Sequence, residues 1–208
     1  MNTYDLLDAN GNVVFVENGR KVLLDTGCPL SEYPKHMINS NVFENVGHVI
    51  AEVRGYPRLC DYDILIDLPG KKLYIDTNPI AFEGTAVNYR LINNSIRMEM
   101  TANGKEHVFI FDTGAPHSYV DESWIPPEIL TAGPTRYVKD YNPMLGRLES
   151  PAYNVPVTFA GKTYITELCL PPQHVRNGLQ GIGGVLGGAL LNHFKILIDF
   201  RNQRVICQ

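Results

Sequence analysis

Two Asp-Thr-Gly triplets, Asp25-Thr26-Gly27 and Asp112-Thr113-Gly114, hold the residues best suited to chemistry in this chain. Each Asp closes an apolar run, Val22-Leu23-Leu24 in one case and Phe109-Ile110-Phe111 in the other, which sets it beside a core. A lone carboxylate there is costly. The Thr and Gly that follow suit a tight turn able to aim backbone N–H groups at it. If the two loops meet, carboxylates that close cannot both ionise and must share one proton. The ionised member can take a proton from water while the protonated member donates to a carbonyl oxygen. That pair suffices for hydrolysis of an amide by water, with no cofactor, no metal and no covalent intermediate. Asp25 and Asp112 are therefore the expected catalytic pair, with Thr26, Gly27, Thr113 and Gly114 supporting it. The competing reading is that each Asp only caps a turn between strands. One such triplet arises by chance about once in several thousand positions at ordinary composition, so the argument rests on the two together.

The surroundings of the triplets repeat as well. Val53 to Asp67 aligns without a gap under Val185 to Asp199, with 7 of 15 positions identical, including Ile-Leu-Ile-Asp at the end. Asp25 to Ser31 matches Asp112 to Ser118 at 5 of 7 positions. Repetition in one fixed order reads as internal duplication. It predicts a first lobe over 1–77, a connection over 78–94 and a second lobe over 95–208. The halves are unequal, because Gly55 follows Asp25 by 30 positions whereas Gly187 follows Asp112 by 75.

The elements that must position these loops are mostly strands. Val13 to Glu17 and Lys21 to Leu24 flank Asn18-Gly19, a pairing that marks a tight hairpin. Ile96 to Thr101 and Val108 to Phe111 repeat the plan around Asn103-Gly104. Three further hairpins are expected around Pro69-Gly70, Gly161 and Arg201-Asn202. Short helical turns suit Asp121 to Leu130 and Ala189 to Phe194, and no long amphipathic helix is present. The class is all-β with a few short helices.

With those residues in view, the chain resembles the pepsin and retropepsin clan of aspartic peptidases. The resemblance rests on Leu23-Leu24-Asp25-Thr26-Gly27, Ile110-Phe111-Asp112-Thr113-Gly114-Ala115, Val185-Leu186-Gly187, Leu190-Leu191 and Ile196 to Phe200. It implies a bilobed acid-protease-like barrel fold with pseudo-twofold symmetry. It also implies that Thr26 and Thr113 buttress the pair across the twofold and that Gly27 and Gly114 admit substrate backbone. The site would then lie within one chain. Cys28 and Ala115 replace the Ser or Thr that pepsin-like enzymes place after the triplet, so the expected optimum is less acid than pepsin's. Arg54 stands where the family has an apolar residue, and either points to solvent or pairs with a carboxylate. The first half looks too short to build a flap. The flap is expected from the second half, over Tyr137 to Tyr153, with Tyr141 and Met144 as substrate contacts. A hairpin over Met37 to Val49 is the competing placement. Gly181 to Gly184 has the composition of a flap tip but sits in the wrong order, so it reads as a loop.

Bulk properties narrow the classes further. The net charge of −4 argues against nucleic acid or an anionic membrane surface as partner. No apolar run approaches the ~20 residues of a membrane span, and Met1 to Asn12 lacks a secretory signal pattern, which gives a cytoplasmic reading. The glycine-rich run from Gly178 to Gly188 lacks the Lys-Ser/Thr of a phosphate loop. The six histidines form no H-x-x-x-H pair, and the four cysteines are spaced as reduced thiols, so no metal is expected. Three functions remain: an endopeptidase acting on an extended peptide or protein, a silent fold used as a peptide-binding or structural module, and a self-processing enzyme with one target.

Overall fold

The computed structural model describes residues 1–208 except 32, 35–45, 103–104, 143–145 and 180. It is all-β. The first half contains β1 (Asn2–Asp5), β2 (Val14–Glu17), β3 (Arg20–Asp25), β4 (Glu52–Gly55), β5 (Asp63–Asp67) and β6 (Lys72–Asp76). Next come β7 (Thr85–Ile92), β8 (Ser95–Ala102), β9 (Lys105–Phe111) and β10 (Ser118–Val120). The chain continues through β11 (Arg136–Asn142), β12 (Gly146–Phe159), β13 (Lys162–Cys169), β14 (Gly184–Leu186), β15 (Lys195–Asp199) and β16 (Arg204–Cys207). Short helical turns cover Glu122–Trp124, Pro127–Ala132 and Gly188–Leu191, near where the sequence suggested them, and also Tyr56–Leu59 and Gln173–Gly178.

The hairpins β2–β3, β5–β6, β8–β9, β12–β13 and β15–β16 all form at the expected positions. Asn18 and Gly19 both have positive φ, as the tight turn between β2 and β3 requires. The turn at 103–104 lies outside the described residues. The connection over 78–94 is more than a linker, since β7 within it pairs with β16 on one side and β8 on the other. Gly181 lies in a turn, and Gly184 already belongs to β14.

Two equivalent frames carry the Asp loops. In the first, β3 lies between antiparallel β2 and parallel β4, with Leu23 opposite both Val14 and Val53. In the second, β9 lies between antiparallel β8 and parallel β14, with Ile110 opposite both Arg97 and Val185. A joining sheet runs in the order β1-β6-β5-β15-β16-β7. At its centre the two Ile-Leu-Ile-Asp segments pair with each other, Leu65 facing Leu197 and Ile64 facing Ile198. One core spans both halves, drawing Phe15, Leu24, Ile64 and Ile66 from the first and Phe109, Phe111, Trp124, Ile196 and Ile198 from the second. Smaller clusters cover the opposite face of each frame, around Leu23 in the first and Tyr119 in the second.

Arg54 pairs with carboxylates. Its Nε donates to Glu52 Oε1 at 2.6 Å, and its Nη2 meets Glu17 Oε2. Its guanidinium also lies 5.5 Å from the centre of the Phe15 ring. Arg58 reaches the same Glu52 oxygen at 3.0 Å. Glu52 is only 7% exposed, so it depends on these cations. Arg54→Ala is expected to cost about 2–3 kcal/mol, below the full price of breaking a wholly buried pair because Arg58 remains; a denaturant midpoint checks this.

Candidate active site

Asp25 is the last residue of β3, and Asp112 directly follows β9. The backbone turns sharply after each. Cys28 N donates to Asp25 O and Ala115 N to Asp112 O, both at 3.3 Å, so the two loops share one turn geometry. Parallel pairing with β4 and β14 holds the loops open at the same point: Gly55 stands opposite Asp25, and Asp112 N donates to Leu186 O at 2.9 Å. Ser118 supports the second loop, its Oγ accepting from Gly187 N at 3.1 Å.

The loops interlock through their threonines. Thr113 Oγ1 accepts from Thr26 N at 3.0 Å and donates to Leu24 O at 2.8 Å. Reciprocally, Thr26 Oγ1 accepts from Thr113 N at 3.0 Å and donates to Phe111 O at 2.9 Å. Both threonines are fully buried. Four bonds in a closed, twofold set leave each loop's N–H and each strand's last carbonyl satisfied by the other half. The glycines approach just as closely. A methyl on Gly27 would lie 2.2 Å from Asp112 Cγ, and one on Gly114 would lie 2.4 Å from Asp25 Cγ. Only glycine lets each backbone pass over the opposite carboxyl.

The carboxyls consequently hydrogen-bond each other. Burial, the neighbouring Asp112 charge and that shared bond push Asp25 well above the usual carboxylate range. Burial raises Asp112 too, but the bond from Asp25 and backbone N–H groups of Gly114, Gly27 and Ala115 oppose the rise. Gly114 N donates to Asp112 Oδ1 at 2.9 Å, while Cys28 N donates to Asp25 Oδ1 at 2.8 Å. Both carboxyls are thus raised as a coupled pair, Asp25 the more strongly, and the pair favours holding one proton between them.

Sequence reasoning missed Tyr33. Its ring packs against the cluster around Leu23, and its hydroxyl bonds with Cys28. Burial and the nearby Asp25, Cys28 and Asp112 charges drive its phenol far above the ordinary range. Nothing in a single Tyr within a spacer marks it. Cys28 is a buried thiol, pushed up to about 11 by burial and by Asp25, and all four cysteines are free.

The hairpin expected over Tyr137 to Tyr153 exists as β11 and β12, paired from Arg136–Ala152 to Asn142–Gly146. Tyr141 stands half-buried in β11, opposite Arg147. Met144 lies outside the described residues, as does most of the competing Met37 to Val49 stretch; Val46 and Ile50 pack against Leu23 and Val53. The hairpin is pinned at its base. Tyr119 Oη donates to Asp140 Oδ2 at 2.6 Å, and Arg136 forks onto Glu167 at 2.7 and 2.8 Å. Ligand atoms of His117, Glu167 and Cys169 gather within 4.8 Å of one another beside this base. Glu167 is already occupied by Arg136, and burial pushes the Cys169 thiol up to about 12.

No protein-family model matches the chain. No curated protein matches it either. Among solved structures, a retropepsin-like aspartic protease from Rickettsia conorii is similar over 61% of this chain and 96% of its own, with a TM-score of 0.38 and 17% identity. At that level the likeness adds nothing to the geometry above. No helix among the described residues is long and apolar enough to cross a membrane.

The lock makes a sharp prediction. Thr26→Val strands a buried N–H and a buried carbonyl, each worth roughly 1–3 kcal/mol when unmet. It should cost about 2–4 kcal/mol in total, whereas Thr26→Ser, which keeps the hydroxyl, should cost under about 1 kcal/mol. Equilibrium unfolding of both variants decides it.

Proposed function

We propose that the chain is an aspartic endopeptidase that cleaves peptide or protein substrates with one intramolecular Asp25–Asp112 pair. The observation that carries this reading is the closed threonine set, which holds a buried and a half-buried carboxyl in mutual hydrogen bond. A turn-capping role for each Asp would not require the two loops to meet.

In this reading, Asp112 takes a proton from a water as the water oxygen bonds to the scissile carbonyl carbon. Asp25 gives its proton to the carbonyl oxygen, yielding a gem-diol. Return of the proton from Asp112 to the amide nitrogen, and of one diol proton to Asp25, breaks the carbon–nitrogen bond and restores the pair. The β11–β12 hairpin acts as the single flap, with Tyr141 facing substrate. The same reading takes the chain as two copies of one unit. Its support is the matching register of the two frames and the mutual pairing of the Ile-Leu-Ile-Asp strands.

Two outcomes test it. Asp25→Asn and Asp112→Asn should each lower peptide cleavage by about 10³-fold or more, measured on a mixed peptide library by mass spectrometry. The surviving wild-type rate should follow a bell in pH. It should fall on the acid side as the pair takes a second proton and on the alkaline side as the proton on Asp25 leaves, with the pair titrating as a unit.

Stability gives an independent check. Folding raises the pair's affinity for its proton, so its contribution to stability is complete below the ordinary carboxylate pKa of about 3.9 and is lost as pH rises through the raised value. Asp25→Asn removes that loss. The melting temperature of the Asn variant relative to wild type should therefore climb between about pH 4 and pH 8; equal differences at both ends would mean the carboxyls are not coupled.

A further inference from the structure

The two frames differ at one charged position that neither fold nor lock explains. On the face away from the main core, the first frame sets Val14, Leu23 and Val53 side by side, at 0%, 1% and 0% exposure. Ala9, Val46 and Ile50 close over them, with Leu7 and Tyr33 at the margin. The corresponding row in the second frame is Arg97, Ile110 and Val185. Its register is the same, since Leu23 and Ile110 each precede the catalytic Asp by two. Side chains alternate along a strand, so this is also the face shared by Asp25 and Asp112. Here all three residues retain exposure. The row beside Asp25 is filled by the chain itself, while beside Asp112 only Val185 is packed, against the Tyr119 cluster, and the Arg97–Ile110 end keeps partial exposure.

At the less covered end of that row lies a cation without an anion among the described residues. Arg97 Nε and Nη1 are shut off from solvent and have no hydrogen-bond partner. Burial lowers the guanidinium's pKa, and no carboxylate among the described residues offsets it. Its strand neighbours Ile96 and Met98 are fully buried in the core on the other face. Val14 fills the equivalent place, so the frame does not need a charge there. An unpaired, desolvated guanidinium is destabilising, and it persists at functional sites where a ligand completes it. Its planar fork suits a carboxylate held by two parallel bonds.

We propose that Arg97 is a specificity-determining residue, and that the row of Arg97, Ile110 and Val185 receives a substrate carboxylate next to the bond that is cut. The proposal rests on the endopeptidase reading for its substrate class. Ile110 precedes Asp112 by two strand positions, about 7 Å at 3.3–3.4 Å per residue. The recognised group therefore belongs to a residue within one or two positions of the cleaved bond. The carboxylate is either the side chain of Asp or Glu or the terminus of a short peptide. The first source fits internal cleavage; the second would make the enzyme trim chain ends.

The test uses the full chain and matched fluorogenic peptides that carry Glu, Gln or Lys at each position flanking the cleaved bond. A second pair ends in a free acid or an amide. At pH 6, where Glu is ionised, wild type is expected to favour Glu over Gln by about tenfold or more in kcat/KM. In Arg97→Met that ratio should fall close to one, and in Arg97→Glu it should reverse in favour of Lys. A preference for the free acid over the amide, with none for Glu over Gln, assigns the chain terminus as the source. Binding of the same peptides to the Asp25→Asn chain, followed by fluorescence anisotropy, reads the pocket without turnover. Arg97-dependent binding of the acidic peptides with no cleavage by wild type would sink the endopeptidase reading and leave the pocket standing. Equal handling of acidic and neutral peptides in both assays, or an acidic preference that survives in Arg97→Met, overturns the proposal. Melting temperatures guard against a misfolded variant, and Arg97→Met should melt no lower than wild type because it removes an unpaired buried charge.

Discussion

The structure depends on a need that neither Asp loop can meet alone. The N–H groups of Thr26 and Thr113 are buried, and so are the carbonyls of Leu24 and Phe111. Buried backbone groups must find partners. Here each finds one in a hydroxyl from the other half. Joining the loops satisfies four groups at once, and it brings two carboxyls together that would otherwise repel. The shared proton then follows from electrostatics, with backbone donors on both carboxyls opposing the rise. The carboxyl pair is a by-product of hydrogen-bond completeness.

Around that fixed centre the halves diverge where the lock makes no demand. Leu186 is buried in the core, whereas its counterpart Arg54 sits over Phe15 and gathers Glu17 and Glu52 about it. The first frame buries its outer row under residues 46–50 and around Tyr33, while the second leaves its row partly exposed and mounts a long hairpin beside it. The 45 extra positions between Asp112 and Gly187, relative to the first half, are the physical source of that difference. They form β11, β12 and β13, which the first half has no chain to build.

Much of this is legible in the residues, for identifiable reasons. Asn-Gly turns and apolar runs fix the hairpins, because positive φ and alternation are local properties. The repeated triplets mark where the loops meet, because duplicated segments in one order imply related surroundings. Contacts that depend on distant chain are another matter. Tyr33 reaches the carboxyls from a spacer with no pattern, and β7 hides in a stretch whose Pro79 and Gly84 suggest a connection. Arg54 leaves two outcomes open in the sequence, since its choice turns on Glu17, 37 positions away. Arg97 looks like any alternating charged residue on a strand. Its isolation emerges only when Ile110 and Val185 are set beside it.

The central pairing of β5 with β15 bears on how the chain is made. The first half completes β1 to β6 early in synthesis, yet β5 has no second neighbour until residues 195–199 emerge, and β7 waits for 204–207. During translation, the inner edges of the joining sheet are open templates for strand pairing with other chains. Contacts this far apart in sequence are also slow to form. Residues 195–207 thus act as a clasp, and a ribosome that stalls before them releases a polypeptide with two sticky borders. Holding such a nascent polypeptide apart from its neighbours is work for a chaperone.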